Sequence, residues 1–448
     1  MNLDFLTRKF ENRLKYPFLI WKDDSYSYGW LLQQIREFQK TPAYSEVKPG
    51  CPVLLEADFS PKAVALFLAL IQKAAILIPL SQGTGEAKKK ESLEIAKPCL
   101  RFSLNAQDEL EVSPFSHEPH FPYYEELKKR KHPGLVLFSS GSTGKIKAAV
   151  HDFAGILEKF KTPRHDFITI AFLLFDHIGG IDTLFYALSN GSLLVTLETR
   201  DPELVAQTIQ KYQVEVLPVT PSFLNLLILS GAYQRYSLSS LKYITYGTEL
   251  MPEITLQKLK NIFPNVILFQ KYGTTEVGTL RSKSESSDSL WVKVGGEGYQ
   301  TRVVDGMLEI KADSAMLGYL NAPSPFTSGG WFQTGDLVEV KGEYVKFLGR
   351  ASELINVGGQ KVYPAEVENI IQQVVNVKEV TVYGEKNPLL GQIVCAQVST
   401  NQAEEPEQVA EKIQIFCRQK LESYKVPVKV LVTSCLQTSD RFKKKRIG

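Results

Sequence analysis

Hydrophobic and polar positions follow two alternating patterns along most of the chain. Short apolar runs, such as VEVLPV and VILFQKYG, predict strands that are buried on both faces. Between such runs lie amphipathic stretches, such as DPELVAQTIQKY and MPEITLQKLKNIF, which predict helices. The long apolar run FITIAFLLF is also predicted to be a strand. Strands that alternate with helices predict an α/β fold with largely parallel sheets.

The pattern changes after about residue 290. The stretch WVKVGGEGYQTRVVDGMLEIKAD has short strands separated by Gly turns, which predicts a small β-barrel-like subdomain or a distorted sheet. A compact α+β pattern begins at Ser352. We therefore predict a large N-terminal domain of stacked, mostly parallel sheets with helices over residues 1–351. A small, mobile α+β C-terminal domain is predicted over residues 352–448.

Composition and charge exclude several classes of protein. The net charge of +3 over 448 residues is too small to suggest nucleic acid as a main partner. The five cysteines are odd in number and widely spaced, which argues against a disulfide framework or a structural zinc site. Polar residues interrupt the apolar region 63–80, so it is predicted to be a buried helix and a strand, not a membrane span. With no secretory signal in MNLDFLTRKFENR, we expect a cytoplasmic protein.

The stretch LFSSGSTGKIKAAV is the first candidate for chemistry, because an apolar strand runs into a loop of small and hydroxyl residues. It fails the Walker pattern at two of the four fixed positions, Ser139 and Ile146, and it does not fit the G-x-S-x-G nucleophile elbow. Its main-chain N–H groups and hydroxyls can still wrap two adjacent phosphates, with Lys145 or Lys147 supplying positive charge. The alternative is a mobile surface turn.

Five segments occur along the chain in the order and rough spacing of one known superfamily. They are LFSSGSTGKIKAAV, KYGTTEVG, GWFQTGDL, FLGRASELINVGGQKVYPAEVE and SDRFKKKR. The chain resembles the adenylate-forming enzymes, which comprise acyl- and aryl-CoA synthetases, nonribosomal adenylation domains and luciferases, and most of all a short acyl- or aryl-CoA ligase. The resemblance implies that a carboxylate attacks the α-phosphate of ATP, giving an acyl-adenylate and pyrophosphate, and that the thiol of coenzyme A then takes the acyl group. It also implies Mg²⁺ as a cofactor and a small-molecule carboxylic acid as substrate.

The resemblance implies an extended site for ATP. Its members lie in the loop on the pyrophosphate side, in two segments that wall the adenine slot, and in two later segments that reach the ribose. A carboxylate suits the ribose because it can accept both sugar hydroxyls. These residues are Ser139, Ser140, Gly141, Ser142, Thr143, Gly144 and Lys147 in the loop, Gly247, Thr248, Glu249, Tyr272, Gly273 and Thr274 in the middle segments, and Asp336 and Arg350 at the ribose.

Three residues are implied to act on the reacting groups. Thr275 corresponds to the hydroxyl that meets the α-phosphate, and Glu276 to the Mg²⁺ ligand, a hard oxygen donor for a hard cation. Lys443 corresponds to the catalytic lysine, whose loss typically costs on the order of 3 kcal/mol of transition-state stabilisation. Because Phe442 replaces the Gly that usually precedes this lysine, Lys444 stays open as the alternative.

The acyl pocket is implied by AFLLFDHIGGIDTLF and two later segments. His177, which is also assigned a catalytic role, corresponds to a histidine that borders the carboxylate in acyl- and aryl-CoA synthetases. Asp176 leaves an amino acid open as substrate, although its register favours a non-amino acid. The implied pocket residues are Asp176, His177, Thr220, Tyr246 and Gly278.

The second half-reaction is implied to use the C-terminal domain. Ser352 occupies the hinge position, and the loop NVGGQKVYP, with Gly358, Gly359 and Lys361, would line the channel for the pantetheine arm. The acceptor stays open between coenzyme A and the phosphopantetheine of an acyl carrier protein acting in trans. A non-catalytic scaffold or acyl-binding protein is the remaining alternative. Dimers are common among members of the superfamily, and a homodimer stays open here.

Overall fold

The computed structural model describes residues 3–117, 119–140 and 145–433. Within these ranges the helices are α1 Asp4–Glu11, α2 Tyr28–Gln39, α3 Pro42–Glu46, α4 Pro61–Gln72, α5 Glu86–Ala96, α6 Pro122–Arg130, α7 Phe153–Glu158, α8 Ile178–Asn190, α9 Pro202–Tyr212, α10 Pro221–Ser230, α11 Ala232–Arg235, α12 Glu253–Ile262, α13 Pro364–Ile371 and α14 Pro406–Lys420, with 3₁₀ turns at Ala351–Glu353 and Ser423–Lys425.

The strands are β1 Pro17–Trp21, β2 Asp24–Ser27, β3 Pro52–Glu56, β4 Ile76–Leu80, β5 Leu100–Leu104, β6 Leu110–Pro114, β7 Gly134–Ser140, β8 Ile146–Asp152, β9 Thr169–Ile170, β10 Leu194–Val195, β11 Val216–Val219, β12 Tyr243–Tyr246, β13 Ile267–Gln270, β14 Gly273–Thr274, β15 Gly278–Thr279, β16 Arg281–Ser284, β17 Val292–Gly295, β18 Tyr299–Val304, β19 Met307–Ala312, β20 Gly318–Tyr319, β21 Phe332–Lys341, β22 Tyr344–Arg350, β23 Ile355–Val357, β24 Gln360–Val362, β25 Val377–Asn387, β26 Gly391–Thr400 and β27 Lys429–Val432.

Two seven-stranded sheets carry most of the first 320 residues. One has the order β13-β12-β11-β9-β10-β1-β2 and is parallel except for the pair β1 and β2. The other has the order β20-β8-β7-β4-β3-β5-β6, with β7, β4, β3 and β5 parallel and the remaining strands antiparallel at its edges. Helices separate consecutive parallel strands, so the predicted α/β fold with largely parallel sheets is confirmed.

Local sequence explains where these elements begin and end. The α9 helix has Pro202 in its first turn, and the Asp201 side chain accepts hydrogen bonds from the N–H groups of Glu203 and Leu204. The prediction for FITIAFLLF was wrong in extent, because only Thr169–Ile170 forms a strand. The rest of the run turns towards α8, which is capped by the His177 side chain. High hydrophobicity over this run therefore reflects burial, not a long strand.

The third large sheet lies where Gly-separated short strands were predicted. It is a six-stranded antiparallel sheet with the order β16-β17-β22-β21-β19-β18. Its longest strands, β21 and β22, form a hairpin in which Asp336 lies opposite Arg350. This pairing brings two predicted ribose residues side by side.

The last sheet contains β24, β23, β26 and β25 in that order, with β27 paired to β26. Helices α13 and α14 contribute Val367, Ile371, Val409 and Ile413 to a separate apolar core beneath it. This is the predicted α+β pattern, while the exact boundary between residues 351 and 352 stays a prediction. Within the part of the chain that the structure describes, no helix has the length and apolar content needed to cross a membrane.

Candidate active site

The predicted phosphate loop connects two paired strands. Strands β7 and β8 are antiparallel, with Ser139 opposite Lys147 and Ser140 opposite Ile146. The four loop residues between them, Gly141, Ser142, Thr143 and Gly144, lie outside the described residues. The ammonium of Lys147 lies 5.4 Å from the centre of the Tyr319 ring, close enough for a cation–π contact. This lysine and Ser139 therefore flank the base of the loop on neighbouring strands.

Asn321, which the sequence did not single out, braces the same base. Its side-chain N–H₂ donates to the Ile146 carbonyl (2.7 Å), and its side-chain oxygen accepts from the Ala148 N–H (3.0 Å). The main chain of Leu320 also donates to the Ala148 carbonyl. The amide thus continues the pairing of β20 with β8 by one further step. The Asn321 side chain thus satisfies main-chain groups of β8, the strand that follows the loop, along the edge where β20 ends.

The hairpin between β14 and β15 presents Thr275 and Glu276 at its tip. Its two strands approach so closely that a Cβ at Gly273 would lie 2.7 Å from the Gly278 carbonyl oxygen, so glycine is required there. The Tyr319 hydroxyl donates to the Glu276 carboxylate (2.6 Å). The hydroxyl of Thr274 is buried and has no hydrogen-bond partner among the described residues. A ligand with acceptor oxygens fits such an orphaned donor.

A buried histidine lies under this hairpin. His151, on β8, is fully buried, and neither ring nitrogen makes a hydrogen bond within the described ranges. Burial lowers the pKa of His151 to about 4, whereas the nearby Glu276 carboxylate and the main chain of Thr275 and Ser314 oppose the shift. The ring is therefore neutral at pH 7 and contacts the tip of the hairpin from below.

The predicted ribose residues form a hydrogen-bonded group with the predicted adenine residue Tyr272. The Tyr272 hydroxyl donates to one carboxylate oxygen of Asp336 (2.6 Å), and the Arg350 guanidinium contacts the other (2.7 Å). Arg350 also donates to the Thr334 carbonyl (3.0 Å), and the Tyr272 ring stacks on Phe347 with centroids 4.6 Å apart. Asp336 keeps further lone pairs that can accept hydrogen bonds from a ligand, as the predicted ribose site requires.

Electrostatic interactions join this group to the Glu276 hairpin. Burial raises the pKa of Asp336. The interactions with Arg350 and Tyr272 lower the pKa of this carboxyl, whereas the nearby Glu276 carboxylate raises it. Asp336 and Glu276 both help to raise the pKa of Arg350 against the effect of burial. Tyr319, whose pKa is raised by burial and by Glu276, is also influenced by Arg350. We call Tyr272, Glu276, Tyr319, Asp336 and Arg350 the nucleotide corner.

The segment Gly247, Thr248 and Glu249 follows β12 at the carboxyl edge of the first sheet. A Cβ at Gly247 would lie 2.6 Å from the Lys271 carbonyl oxygen, so this segment packs directly against the residue before Tyr272. Thr248 has a left-handed main chain (φ 69°), as expected for a tight turn. The Glu249 carboxylate accepts from the Ser222 N–H (3.1 Å) at the start of α10. The structure thus brings the two predicted walls of the adenine slot together.

The predicted acyl-pocket residues lie around the start of α8 and near β12. The ring of His177 accepts from the Gly179 N–H (3.0 Å), and Gly278 lines a small cavity together with Ile178 and Asp182. Gly278 has a left-handed main chain (φ 83°), which leaves that side of the cavity open.

Three further residues surround this region in different ways. Asp176 is buried beside Asp58, whose pKa is raised by burial and also by Asp176. Thr220 is buried and caps α10 by accepting from the Phe223 N–H (3.1 Å). Tyr246, at the end of β12, is buried, and burial raises its pKa. Asp176 therefore lies near the loop between β3 and α4, whereas Gly278 belongs to β15. The predicted acyl-pocket residues are thus contributed by separate elements of the fold.

The predicted thiol residues lie on the C-terminal sheet. Gly358 and Gly359 form the turn between β23 and β24 with left-handed main chains (φ 58° and 87°), and the Asn356 side chain accepts from the Gly359 N–H (2.9 Å). Lys361 is exposed on β24, and Ser352 is exposed in the 3₁₀ turn that follows Arg350. Lys443 and its alternative Lys444 lie outside the described residues.

Two family models match this chain. The model of AMP-binding enzymes matches residues 6–320, which is more than half of the 448 residues. The chain belongs to the AMP-binding enzyme family. The model of the AMP-binding enzyme C-terminal domain matches residues 366–443. The predicted resemblance to adenylate-forming enzymes is thereby confirmed.

Individual relatives agree with this assignment. This AMP-binding enzyme is 24% identical to the 2-succinylbenzoate–CoA ligase of Enterococcus faecalis over 464 aligned positions, which cover 96% of this chain and 94% of the relative. It resembles the structure of the anthranilate CoA ligase AuaEII in complex with anthranoyl-AMP (TM-score 0.81, 18% identity, 98% and 95% of the two chains). It also resembles ATP-bound MatB from Rhodopseudomonas palustris (TM-score 0.81, 21% identity, 98% and 97%). These similarities confirm the α/β fold with several sheets and a C-terminal domain.

Proposed function

We propose that this AMP-binding enzyme is an AMP-forming ligase that joins a carboxylic acid to the thiol of coenzyme A. The proposal rests chiefly on the nucleotide corner. It joins a phosphate-side carboxylate, Glu276, to a ribose-side carboxylate, Asp336, in one electrostatically coupled group. Adenylation needs both, because a nucleotide must be held at its sugar while charge develops at its α-phosphate.

The side chains present fit ATP and a magnesium ion. Mg²⁺ is usually bound through one or two protein carboxylates together with substrate phosphates, so Glu276 is a sufficient protein ligand. Its hydrogen bond from Tyr319 uses one carboxylate oxygen and leaves the other available. The Thr274 hydroxyl, which has no hydrogen-bond partner among the described residues, and the cation Lys147 supply further donors. When bound, the ion would neutralise phosphate charge.

The residues of the corner act by orientation and by charge. Asp336 accepts from the ribose while Tyr272 and Arg350 hold its carboxylate in place. Thr275 donates to an α-phosphate oxygen, and His177 borders the attacking carboxylate. Lys443 neutralises the oxygens that the carboxylate and the α-phosphate share in the transition state, with Lys444 as the alternative. The acyl-adenylate then passes to the thiol.

The second half-reaction is assigned to the C-terminal sheet. The left-handed turn at Gly358 and Gly359 allows a pantetheine arm to approach the main chain closely, with Lys361 beside it. Movement of residues 352–448 about Ser352 would exchange Lys443 for this turn. Coenzyme A is the proposed acceptor, because the relative with nearly complete coverage bears a CoA ligase name. A carrier protein is the second candidate. We place the enzyme in the cytoplasm, where its free cysteines stay reduced.

Exchange of labelled pyrophosphate into ATP tests the first half-reaction. The exchange should require Mg²⁺ and one class of carboxylic acid, tested across fatty, aryl, dicarboxylic and amino acids. Release of AMP on addition of coenzyme A then tests the second half-reaction. Acid-dependent exchange without CoA-stimulated AMP release would favour a carrier protein. Absence of pyrophosphate exchange with every acid, in a protein that still binds ATP, would contradict ligase activity.

A further inference from the structure

Lys271 occupies a position between the two substrate sites. It follows β13 directly, its N–H donates to the Tyr246 carbonyl (2.7 Å), and it immediately precedes Tyr272 of the nucleotide corner. Its carbonyl packs against Gly247. The carboxyl edge of a parallel sheet, where this lysine lies, is the usual place for ligand binding in α/β folds. Lys271 is the first residue of the motif KYGTTEVG, but the resemblance assigns no role to it.

The alternation of β12 and β13 indicates which way the lysine points. Ile244, Tyr246 and Leu268 belong to the helix-covered core on one face, whereas Thr245 and Phe269 on the other face stay half-buried. The Lys271 ammonium lies 5.2 Å from the centre of the Phe269 ring. Lys271 therefore extends on the half-buried face, away from that core.

The charges on this face are unbalanced. Burial lowers the pKa of Lys271, the cations Lys159 and Arg164 lower it further, and the Asp182 carboxylate opposes them. Asp182 is itself held by an ion pair with Lys159, which also donates to the Thr279 carbonyl (2.9 Å). Lys271 thus lies near two cations and one carboxylate, and that carboxylate is already paired with Lys159.

In the part of the chain that the structure describes, the ammonium of Lys271 has no anionic partner of its own. Among the described residues, its polar contact is the cation–π contact with Phe269, and no hydrogen bond or ion pair reaches it. A cation withdrawn from water without a partner costs free energy, which an incoming anion recovers. Among the described residues, the half-buried ammonium of Lys271 is therefore a positive charge that an anionic ligand can pair with.

The acyl substrate is the ligand expected beside this charge, because a neighbour of Lys271 lines a cavity at the predicted acyl pocket. Asp182, which acts on Lys271, lines the small cavity with Ile178 and Gly278, and Gly278 is a predicted wall of the acyl pocket. The reacting carboxylate has to lie near Thr275 and the α-phosphate, at the tip of the hairpin. Lys271 lies on the α8 side, with Lys159 and Asp182. We call Asp182, Phe269, Lys271 and Gly278 the acyl wall.

We propose that Lys271 selects a carboxylic acid that carries a second anionic group, and that its ammonium binds this group while the first carboxylate is adenylated. This inference rests on the proposed ligase function and names its substrate class as dicarboxylic acids. A cation aimed at a fixed point favours acids whose second carboxylate reaches it, and it disfavours acids that leave it unpaired in an apolar complex.

Matched acid pairs test the assignment. Acid-dependent pyrophosphate exchange is measured with 2-succinylbenzoate against 4-oxo-4-phenylbutanoate, which lacks the ring carboxylate, and with C4 to C8 dicarboxylic acids against their monomethyl esters. For the wild type we expect kcat/KM at least tenfold higher for the dianionic member of one pair. Lys271→Met should lower that ratio about tenfold, mainly through KM, and Lys271→Arg should retain most of it. Lys258→Met, which changes an exposed lysine on α12, is the matched control.

The outcomes separate this inference from the ligase function itself. If the wild type exchanges with monoanionic acids as well as with dianionic ones, the ligase stands and the role of Lys271 is overturned. An equal loss of kcat/KM for both acids of a pair in Lys271→Met would also overturn it. The lysine would then contribute to adenylation of any acid, not to the choice between acids. If Lys271→Met does not fold, the wild-type ratio alone decides: a ratio near one rejects the assignment, and a ratio above ten supports it.

Discussion

The nucleotide corner and the acyl wall meet at the peptide bond between Lys271 and Tyr272, yet they are built differently. In the corner, the carboxylates of Asp336 and Glu276 each have a hydrogen-bonded tyrosine, and Asp336 has an arginine as well. On the acyl wall, the Lys271 ammonium lies over the Phe269 ring, and the groups that act on it are two cations and one carboxylate.

The difference separates what is constant in the reaction from what is specific. The same nucleotide enters every turnover, so groups fixed in advance lower the cost of organising its charge. An acid substrate has to be chosen, and an unpaired group that only the right acid can satisfy provides that choice. Breaking the corner should therefore impair the reaction with any acid, whereas changes on the wall should alter which acid is used.

The largest effect is expected from Glu276→Gln. If Glu276 is the proposed metal ligand, removal of its charge should lower the rate of acid-dependent pyrophosphate exchange about 100- to 1,000-fold with every acid. Stability should change little, because glutamine can still accept from Tyr319. Tyr319→Phe keeps the carboxylate, deletes only this hydrogen bond, and should cost about tenfold. A wild-type rate of pyrophosphate exchange in Glu276→Gln would exclude Glu276 as the ligand of the magnesium ion.

The next effect concerns stability and pH, through His151. Its pKa of about 4 in the folded chain lies below the roughly 6.5 of an unfolded histidine. As pH falls from about 6.5 to about 4, the histidine binds a proton in the unfolded chain but not in the folded chain. The free energy of unfolding therefore decreases by about 3 kcal/mol over this window. Urea unfolding at pH 7 and pH 5 should show a smaller loss for His151→Leu than for the wild type. Parallel losses in both proteins would contradict a buried neutral imidazole.

Asp336→Asn should have an intermediate effect on nucleotide binding. Asparagine can still accept from Tyr272 but leaves Arg350 without its counter-ion, so we expect the KM for ATP to rise about 30-fold, equivalent to ~2 kcal/mol. Steady-state kinetics with varied ATP measure this change. Tyr272→Phe, which removes the hydroxyl alone, should raise the KM about fivefold. A change in kcat at constant KM would argue against ribose binding by Asp336.

The smallest effect is expected on the acyl wall, from Asp182→Asn. The variant removes the carboxylate that Lys271 shares with Lys159, so a dicarboxylic acid should bind about threefold more tightly, in keeping with ~0.6 kcal/mol for a partly exposed pair. The KM of the matching monoester should stay constant. An equal change for both acids would locate the effect in the packing of α8 and not in charge.

The sequence predicted the elements better than the contacts between them. Motif order was enough to place Tyr272, Asp336 and Arg350 in one site, and the structure brings them together. Their mutual bonds could not be predicted, because they depend on the register of β21 and β22 and on the stacking of Phe347. The roles of the site residues stay predictions until activity is measured.

Several residues of the site were missed because their signal is not local. Tyr319 and Asn321 reach the site only through the pairing of β20 with β8, over more than 160 residues of sequence. His151 sits in an apolar strand, where a histidine is usually a core residue. Lys271 did have a signal, since a lysine closely follows the apolar run VILF, but that signal acquires meaning only because its charge has no anionic partner among the described residues.

Asn321 fixes more than the width of the phosphate loop's base. Its amide reaches one carbonyl and one N–H on the same strand, Ile146 and Ala148, and a shift of β8 by a single residue would break both bonds. Such a shift would also exchange the two faces of the strand and carry Lys147 away from Tyr319. A neutral side chain thus fixes the register of β8, and with it the position of Lys147 beside the predicted phosphate loop.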